Sequence, residues 1–205
     1  MRANSGWRLR LTVIAAAAAL SFSLSGAMSV SAADKDGTFM VKGAGTSQCQ
    51  DFVTAFEERG AEFISYGGWI EGYLSAMNRY EDGIYDLVAW QSTELLMAAL
   101  VRFCRENPEI GFHDALNRLT VTLRENAITA KSDIVVAEHG EYATVLYEET
   151  VRRIQKRLTE RGLYDADITG VYDDATRDAL TRFQEEKGIE PSGLPDQVTL
   201  ARLLS

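Results

Sequence analysis

The chain is poor in the residues that build metal centres. Only two of its 205 residues are histidines, His113 and His139. A catalytic zinc ion needs three protein ligands, commonly two histidines with a third histidine or a carboxylate. Because the two histidines fall in different predicted elements, one at a helix start and one in a turn, we interpret both as surface residues. We therefore expect no metal site and no cofactor.

Apolar runs long enough to cross a membrane are absent after residue 33. Before that point, Arg2, Arg8 and Arg10 precede an apolar run over residues 11–24, and small residues follow up to 33. A basic start, a short apolar stretch and a small-x-small site are typical of a secretory signal peptide. We predict that residues 1–33 are this leader and that the protein is exported to the periplasm. An uncleaved membrane anchor is the alternative, since residues 11–33 carry no charge.

Basic residues are outnumbered by acidic ones. The chain has 21 Lys and Arg against 30 Asp and Glu, a formal net charge of −9, and loss of the three leader arginines takes the charge to −12. An acidic surface argues against nucleic acid as a partner and against electrostatic adhesion to anionic lipid. Any attraction to an anionic surface must therefore come from a local site.

Cysteine is limited to Cys49 and Cys104, which both follow the leader. In an exported chain, a lone pair is most simply one disulfide. It would close a loop of about 55 residues and stabilise the fold by at most about 4 kcal/mol. The alternative, a cysteine nucleophile, needs a free thiolate beside a histidine. Cys104 lies on an apolar helical face with Cys49 available as its partner, which favours the structural disulfide.

Helical periodicity runs through the N-terminal half, for which we predict a helical domain over residues 34–125. The apolar positions of its four helices fall within 49–56, 69–77, 95–103 and 116–123. Ser92 or Thr93 is expected to cap the third helix, which ends at Asn107 because the residue before a proline avoids the helical region. The disulfide would join the first helix to the third.

This layout, with Gly-Trp-Ile-x-Gly-Tyr-Leu-Ser at 68–75 and Phe-Cys-x-x-Asn-Pro at 103–108, resembles the small periplasmic helical domains of the HdeA acid-stress chaperone superfamily. The resemblance implies a binding or chaperone-like domain without an active site. We also expect a cell-envelope protein as a partner for residues 34–125. After this domain, β-forming residues flank a glycine turn at 133–147, so we predict a small hairpin or an extended linker over residues 126–146.

A twelve-residue phrase occurs twice near the C-terminus, at 169–180 and at 192–203. Both copies read [Ser/Thr]-Gly-aliphatic-x-Asp-x-x-Thr-x-x-x-Leu. Glycine permits a turn that other residues resist, and the Asp is a helix cap, so each copy predicts a turn, a cap and a helix. An amphipathic helix before the first copy carries Val151, Ile154 and Leu158, is extended one turn earlier by Tyr147, and ends at Gly162.

Residues 147–205 resemble the three-helix peptidoglycan-binding domain of cell-wall hydrolases. The matching segments are Val-x-x-Ile-Gln-x-x-Leu at 151–158, Gly-Leu-Tyr at 162–164, Thr-Gly-Val-Tyr at 169–172, Thr-x-x-Ala-Leu-x-x-Phe-Gln at 176–184 and the second copy of the phrase. Thr169 and Asp173 depart from the family's usual Asp-Gly-x-[Phe/Tyr]-Gly turn. The resemblance implies a mainly all-α fold, peptidoglycan as the ligand and cell-wall association.

Ligand contacts are predicted at the first turn and the loop before it. The predicted residues are Tyr164, Asp167, Thr169, Gly170, Tyr172 and Thr176. An exposed tyrosine ring can stack on a sugar while its hydroxyl forms a hydrogen bond. We expect Tyr164 to be nearer to the ligand and Tyr172 nearer to the core. Gln155 and Gln184 are expected to bond to loop backbone and so support the fold.

Three functions fit the sequence. The favoured one is an exported non-catalytic protein that binds peptidoglycan and presents the helical domain in the cell envelope. The second is a cell-wall hydrolase accessory, or an enzyme with a carboxylate site, for which Glu71 between Trp69 and Tyr73 is the best-placed acid. The third is a periplasmic chaperone or inhibitor tethered to the wall. We expect no enzyme activity, because no nucleophile or metal set is recognisable.

Overall fold

The computed structural model describes residues 33–204, and the residues from Met40 onward form one compact unit. The described helices and strands are α1 (Cys49–Glu58), α2 (Ala61–Tyr80), α3 (Thr93–Glu106), α4 (Phe112–Arg124), β1 (Ile134–His139), β2 (Tyr142–Tyr147), α5 (Glu148–Glu160), α6 (Asp174–Lys187) and α7 (Gln197–Leu203), preceded by a 3-10 turn (Gly43–Thr46). The predicted mainly α-helical fold is confirmed. All of the predicted signal peptide except Ala33 lies outside the described residues. Within the range 33–204, no helix is both long and apolar enough to span a bilayer.

The first hydrophobic core lies among α1 to α4. The predicted disulfide is present and joins Cys49 at the start of α1 to Cys104 in α3, with the two Cα atoms 4.9 Å apart. Beside it, Phe52 and Phe112 are fully buried and their ring centroids lie 4.6 Å apart. The disulfide and the aromatic pair therefore hold the first, third and fourth helices around one apolar centre.

The limits of α3 follow from its two ends. The Ser92 hydroxyl accepts a hydrogen bond from the Leu95 amide (3.2 Å), so Ser92 rather than Thr93 is the cap. The helix stops at Glu106, and Asn107 then leaves helical geometry before Pro108. Both ends agree with the sequence, because capping and the constraint before proline are local effects.

The residues between the two halves form a hairpin, so the extended-linker alternative is wrong. β1 and β2 pair antiparallel, with Val136 opposite Val145. Ala137 and Leu146, on the inner face, are buried, whereas Val136 and Val145, on the outer face, are exposed. Tyr147 was expected to extend the next helix, but it ends β2 and precedes the first helical residue.

The second hydrophobic core lies among α5, α6 and α7. Val151, Ile154 and Leu158 of α5 are buried against Phe183 of α6 and Leu200 of α7. The glycines that follow α5 and α6, Gly162 and Gly188, both have positive φ. α5 ends at Glu160, close to the predicted end at Gly162. The three helices thus bury their apolar faces against one another, including the face predicted for α5.

A loop over residues 85–92 joins the two cores. The Thr150 hydroxyl donates to the Ala89 carbonyl (2.7 Å), and the Gln197 amide donates to the Trp90 carbonyl (2.8 Å). The hydroxyl of Tyr147 also donates to a carboxylate oxygen of Asp86 (2.7 Å). The predicted division at 125/126 and 146/147 stays a prediction. Most of the first core lies before it and most of the second core after it, and these hydrogen bonds connect the two.

Candidate functional site

The first turn of the repeated phrase is built around the buried amide of Gln155. Its Oε1 accepts a hydrogen bond from the Gly170 amide (2.9 Å). Its Nε2 donates to the Val171 carbonyl (3.0 Å) and to the Thr176 hydroxyl (2.9 Å). The side chain of Gln155 therefore satisfies donors and acceptors on both sides of the turn.

The second turn repeats this arrangement with Gln184. Its Oε1 accepts from the Gly193 amide (2.7 Å), and its Nε2 donates to the Leu194 carbonyl and the Thr199 hydroxyl (both 2.9 Å). The prediction that both glutamines bond to loop backbone is confirmed, and both are fully buried. The repeated phrase is thus one structural unit used twice, in which a helix glutamine binds the turn that follows it.

Glycine is required at both turns. Gly170 has φ +81° and Gly193 has φ +70°, a region that L side chains rarely adopt. A Cβ on Gly170 would lie 2.6 Å from the Cγ of Glu148, and one on Gly193 would lie 2.6 Å from the Cγ of Arg177. The turns therefore pack so closely against the preceding helices that a Cβ fits only if neighbouring side chains shift.

The aspartates of the phrase cap α6 and α7. Asp173 Oδ1 accepts from the Thr176 amide (2.9 Å), and Asp196 Oδ1 accepts from the Thr199 amide (2.7 Å). Partial burial acts to raise the pKa of Asp173, but the hydrogen bonds from the hydroxyl and amide of Thr176 outweigh it and lower this pKa. The capping carboxylate is thereby held in the charged form that the helix N-terminus favours.

The two tyrosines of the predicted site both pack at the second core, Tyr164 within it and Tyr172 against it. The expectation that Tyr164 is exposed is wrong, because its side chain is 4 % exposed in the second core and its hydroxyl donates to the Asp167 carbonyl (2.9 Å). Tyr172 is only half-buried, and its hydroxyl donates to the Gly193 carbonyl (3.0 Å). Burial raises the pKa of Tyr172. Tyr172 thus links the two turns, and Tyr164 packs in the core.

The other predicted ligand residues also divide between surface and interior. Asp167 and Thr169 are exposed, whereas Gly170 and Thr176 are buried. The first turn therefore presents two predicted residues and part of the Tyr172 ring to solvent. It forms a surface and not an enclosed pocket, because Gln155 occupies its interior.

The domain that contains α5, α6 and α7 is characterised by its helix order, its two glutamine-bound turns and its aspartate caps. Residues 147–203 match the family model of the putative peptidoglycan binding domain. No curated protein and no solved structure shows significant similarity to the chain. The resemblance of residues 34–125 to the HdeA superfamily accordingly stays a prediction.

A groove lies beside the second turn of the peptidoglycan-binding domain, which we call the hairpin groove. Its volume is about 630 Å³, and it is lined by His139, Gly140, Glu141, Tyr142, Ala143, Thr144, Glu190, Ser192, Leu194 and Asp196. The tip of the hairpin is held there by a 2.7 Å hydrogen bond between Nδ1 of His139 and the Ser192 carbonyl. The Tyr142 side chain is 74 % exposed. The groove thus combines an open aromatic ring with three carboxylates.

A second cleft lies where the domain meets the N-terminal half, and we call it the junction cleft. Its volume is about 360 Å³, and it is lined by Trp90, Glu125, Asn126, Arg153, Lys156, Arg157, Glu160 and Leu204. Three of these side chains are basic and two are acidic. None of the six residues predicted from the sequence lines either cleft. Both clefts depend on contacts between distant segments, which no local motif reveals.

The residues considered as metal ligands or as a catalytic acid do not lie together. No group of three His, Cys, Asp or Glu side chains suited to a metal ion occurs within residues 33–204. His139 is exposed, whereas His113 is half-buried against the rings of Trp69 and Tyr73, so the prediction of a surface position is wrong for His113. Glu71 is exposed and accepts a hydrogen bond from the Thr93 hydroxyl (2.8 Å).

Proposed function

We propose that this is an exported, non-catalytic protein that binds peptidoglycan through residues 147–203 and presents residues 34–125 in the cell envelope. The match to the peptidoglycan-binding family carries the proposal. The two turns support it, because both contain the glutamine, glycine and aspartate contacts that shape the domain surface.

The hairpin groove is the glycan-binding face in this proposal. The exposed ring of Tyr142 offers a flat apolar surface on which a sugar can stack. The carboxylates of Glu141, Glu190 and Asp196 can accept hydrogen bonds from sugar hydroxyls. This chemistry suits a neutral glycan strand, because an anionic ligand would be repelled by the same carboxylates.

A non-catalytic role is supported by the setting of the best-placed acid. A glycosidase holds two carboxyl groups on either side of the scissile bond in a cleft. Glu71 instead lies on the exposed side of α2 and is engaged by Thr93. We therefore expect no hydrolysis of sacculi, which is measured as release of soluble muropeptides.

The test is co-sedimentation of residues 34–205 with purified sacculi, using a pair of matched variants. Tyr142→Ala removes the exposed groove ring, whereas Tyr80→Ala removes a ring of similar exposure (77 %) at the end of α2. We expect Tyr142→Ala to weaken binding about fivefold, since a ring contact contributes about 1 kcal/mol. Tyr80→Ala should bind like the parent.

Three results would count against parts of this proposal. A parent protein that stays in the supernatant contradicts peptidoglycan binding. Equal binding by the Tyr142→Ala and Tyr80→Ala variants contradicts the groove as the glycan face. Release of soluble muropeptides from the sacculi contradicts the non-catalytic role.

A further inference from the structure

Positive charge is concentrated in the junction cleft of an otherwise acidic chain. Arg153, Lys156, Arg157 and Glu160 line it from α5, at the three- and four-residue spacings that place side chains on one helical face. With Glu125 also in the lining, the cleft carries three cations and two carboxylates, a net charge of +1 in a chain of net charge −9.

One of the three cations builds the cleft wall. Arg153 donates to the carbonyls of Asn126 (2.5 Å) and Ala127 (3.0 Å), and its Nε donates to Glu149 (3.0 Å). Three of its five N–H donors are thus used within the protein, two of them to hold the residues after α4 against α5. This arrangement positions the cleft and leaves the other two cations to meet a ligand.

Lys156 and Arg157 face solvent at the cleft. Lys156 is exposed and forms no ion pair with any residue in the range 33–204. Arg157 is exposed and is paired through Nη1 with Glu160 (3.1 Å), so its remaining donors stay available. The half-buried Trp90 supplies an apolar wall to the same cleft.

We propose that the junction cleft binds a carboxylate of the peptidoglycan stem peptide, an inference that rests on the proposed wall binding. Lys156 and Arg157 pair with the carboxylate, and the Trp90 ring packs against the apolar part of the peptide. Arginine suits this role because its planar fork matches a carboxylate.

The two clefts differ in charge, and so do the two components of the wall polymer, the glycan and the stem peptide. The hairpin groove carries three carboxylates and repels anionic groups, whereas the junction cleft carries three cations and two carboxylates. Glycan strands are largely neutral, and stem peptides are rich in carboxylates. The peptide therefore fits the basic cleft, and the sugar fits the aromatic groove.

This assignment also gives the N-terminal half a role in wall binding. Trp90 and Asn126 precede the segment that matches the peptidoglycan-binding family. Residues 147–203 alone would present the cations of α5 without the aromatic wall. Peptide recognition then belongs to the compact unit as a whole.

The experiment compares Lys156→Glu with Lys42→Glu in residues 34–205. Both lysines are exposed and both substitutions change the net charge equally. Binding is measured at low ionic strength to intact sacculi and to sacculi whose carboxylates have been converted to neutral amides with a carbodiimide and ammonia. We expect Lys156→Glu to weaken binding to intact sacculi about fivefold, since charge reversal replaces an exposed ion pair by repulsion. Lys42→Glu should bind like the parent, and both variants should bind the amidated sacculi as the parent does.

The outcomes separate the two proposals. If the parent binds intact sacculi and Lys156→Glu binds equally well, the junction cleft is wrong and wall binding stands. If Lys156→Glu weakens binding to intact and amidated sacculi by the same factor, a stem-peptide carboxylate is the wrong ligand. If the parent binds neither form, wall binding itself fails.

Discussion

Replacement of Gly170 by alanine should destabilise the protein through two separable effects. The first is backbone strain, because φ is +81° there, and a side chain in this region costs about 1 kcal/mol. The second is steric, because the new Cβ would lie 2.6 Å from the Cγ of Glu148 and 3.0 Å from the Cγ of Arg152. Those two side chains form an ion pair, and Arg152 also donates to the Ile168 carbonyl (3.1 Å), so they resist displacement. Overpacking of this kind costs about 2 kcal/mol.

Gly188→Ala provides the matched control for this substitution. Gly188 also has a positive φ (+64°), but a Cβ there would meet no atom within 4 Å. We expect Gly170→Ala to lower the free energy of unfolding by about 3 kcal/mol and Gly188→Ala by about 1 kcal/mol. The melting temperatures should fall by about 10 °C and about 3 °C, as measured by far-ultraviolet circular dichroism on residues 34–205. Equal shifts for the two variants would refute the close packing of the first turn on α5.

Three further changes test the network, the disulfide and the hairpin. Gln155→Leu leaves the buried Gly170 amide without its acceptor and should cost about 2 kcal/mol in a urea titration; an unchanged midpoint would contradict the hydrogen-bond assignment. Under denaturing conditions, Cys49 and Cys104 should resist thiol labelling until reductant is added, and reduction should cost up to about 4 kcal/mol; labelling without reductant would disprove the bond. Burial raises the pKa of Tyr147 to about 12, so the folded state keeps this proton after the unfolded chain loses it near pH 10. The contribution of this group to the free energy of unfolding is complete below about pH 10 and is lost as the pH rises through about 12. In urea titrations, the free energy of unfolding of Tyr147→Phe should therefore fall less steeply over this pH range than that of the parent.

The two tyrosines of the predicted site show what the resemblance to the family does not predict. Tyr164 and Tyr172 both adjoin a glycine turn in the sequence, and the motif does not say which ring is covered. The structure buries Tyr164 in the second core and leaves Tyr172 half-buried between the turns. The difference arises from how α5 and α6 pack in three dimensions, which the spacing of the motif does not specify. A match to a motif therefore does not show which residues of the predicted site are exposed.

The sequence by itself determined the local features of this protein. Helical periodicity, the aspartate caps and the turn glycines at 170 and 193 act within a few residues, and the lone cysteine pair left one simple partner for each thiol. Tertiary structure alone decided that the hairpin tip meets the second turn through His139 and Ser192. It also decided that Trp90 meets the basic face of α5. These contacts join residues more than fifty positions apart, so they depend on how whole helices bury their apolar faces and not on any local pattern.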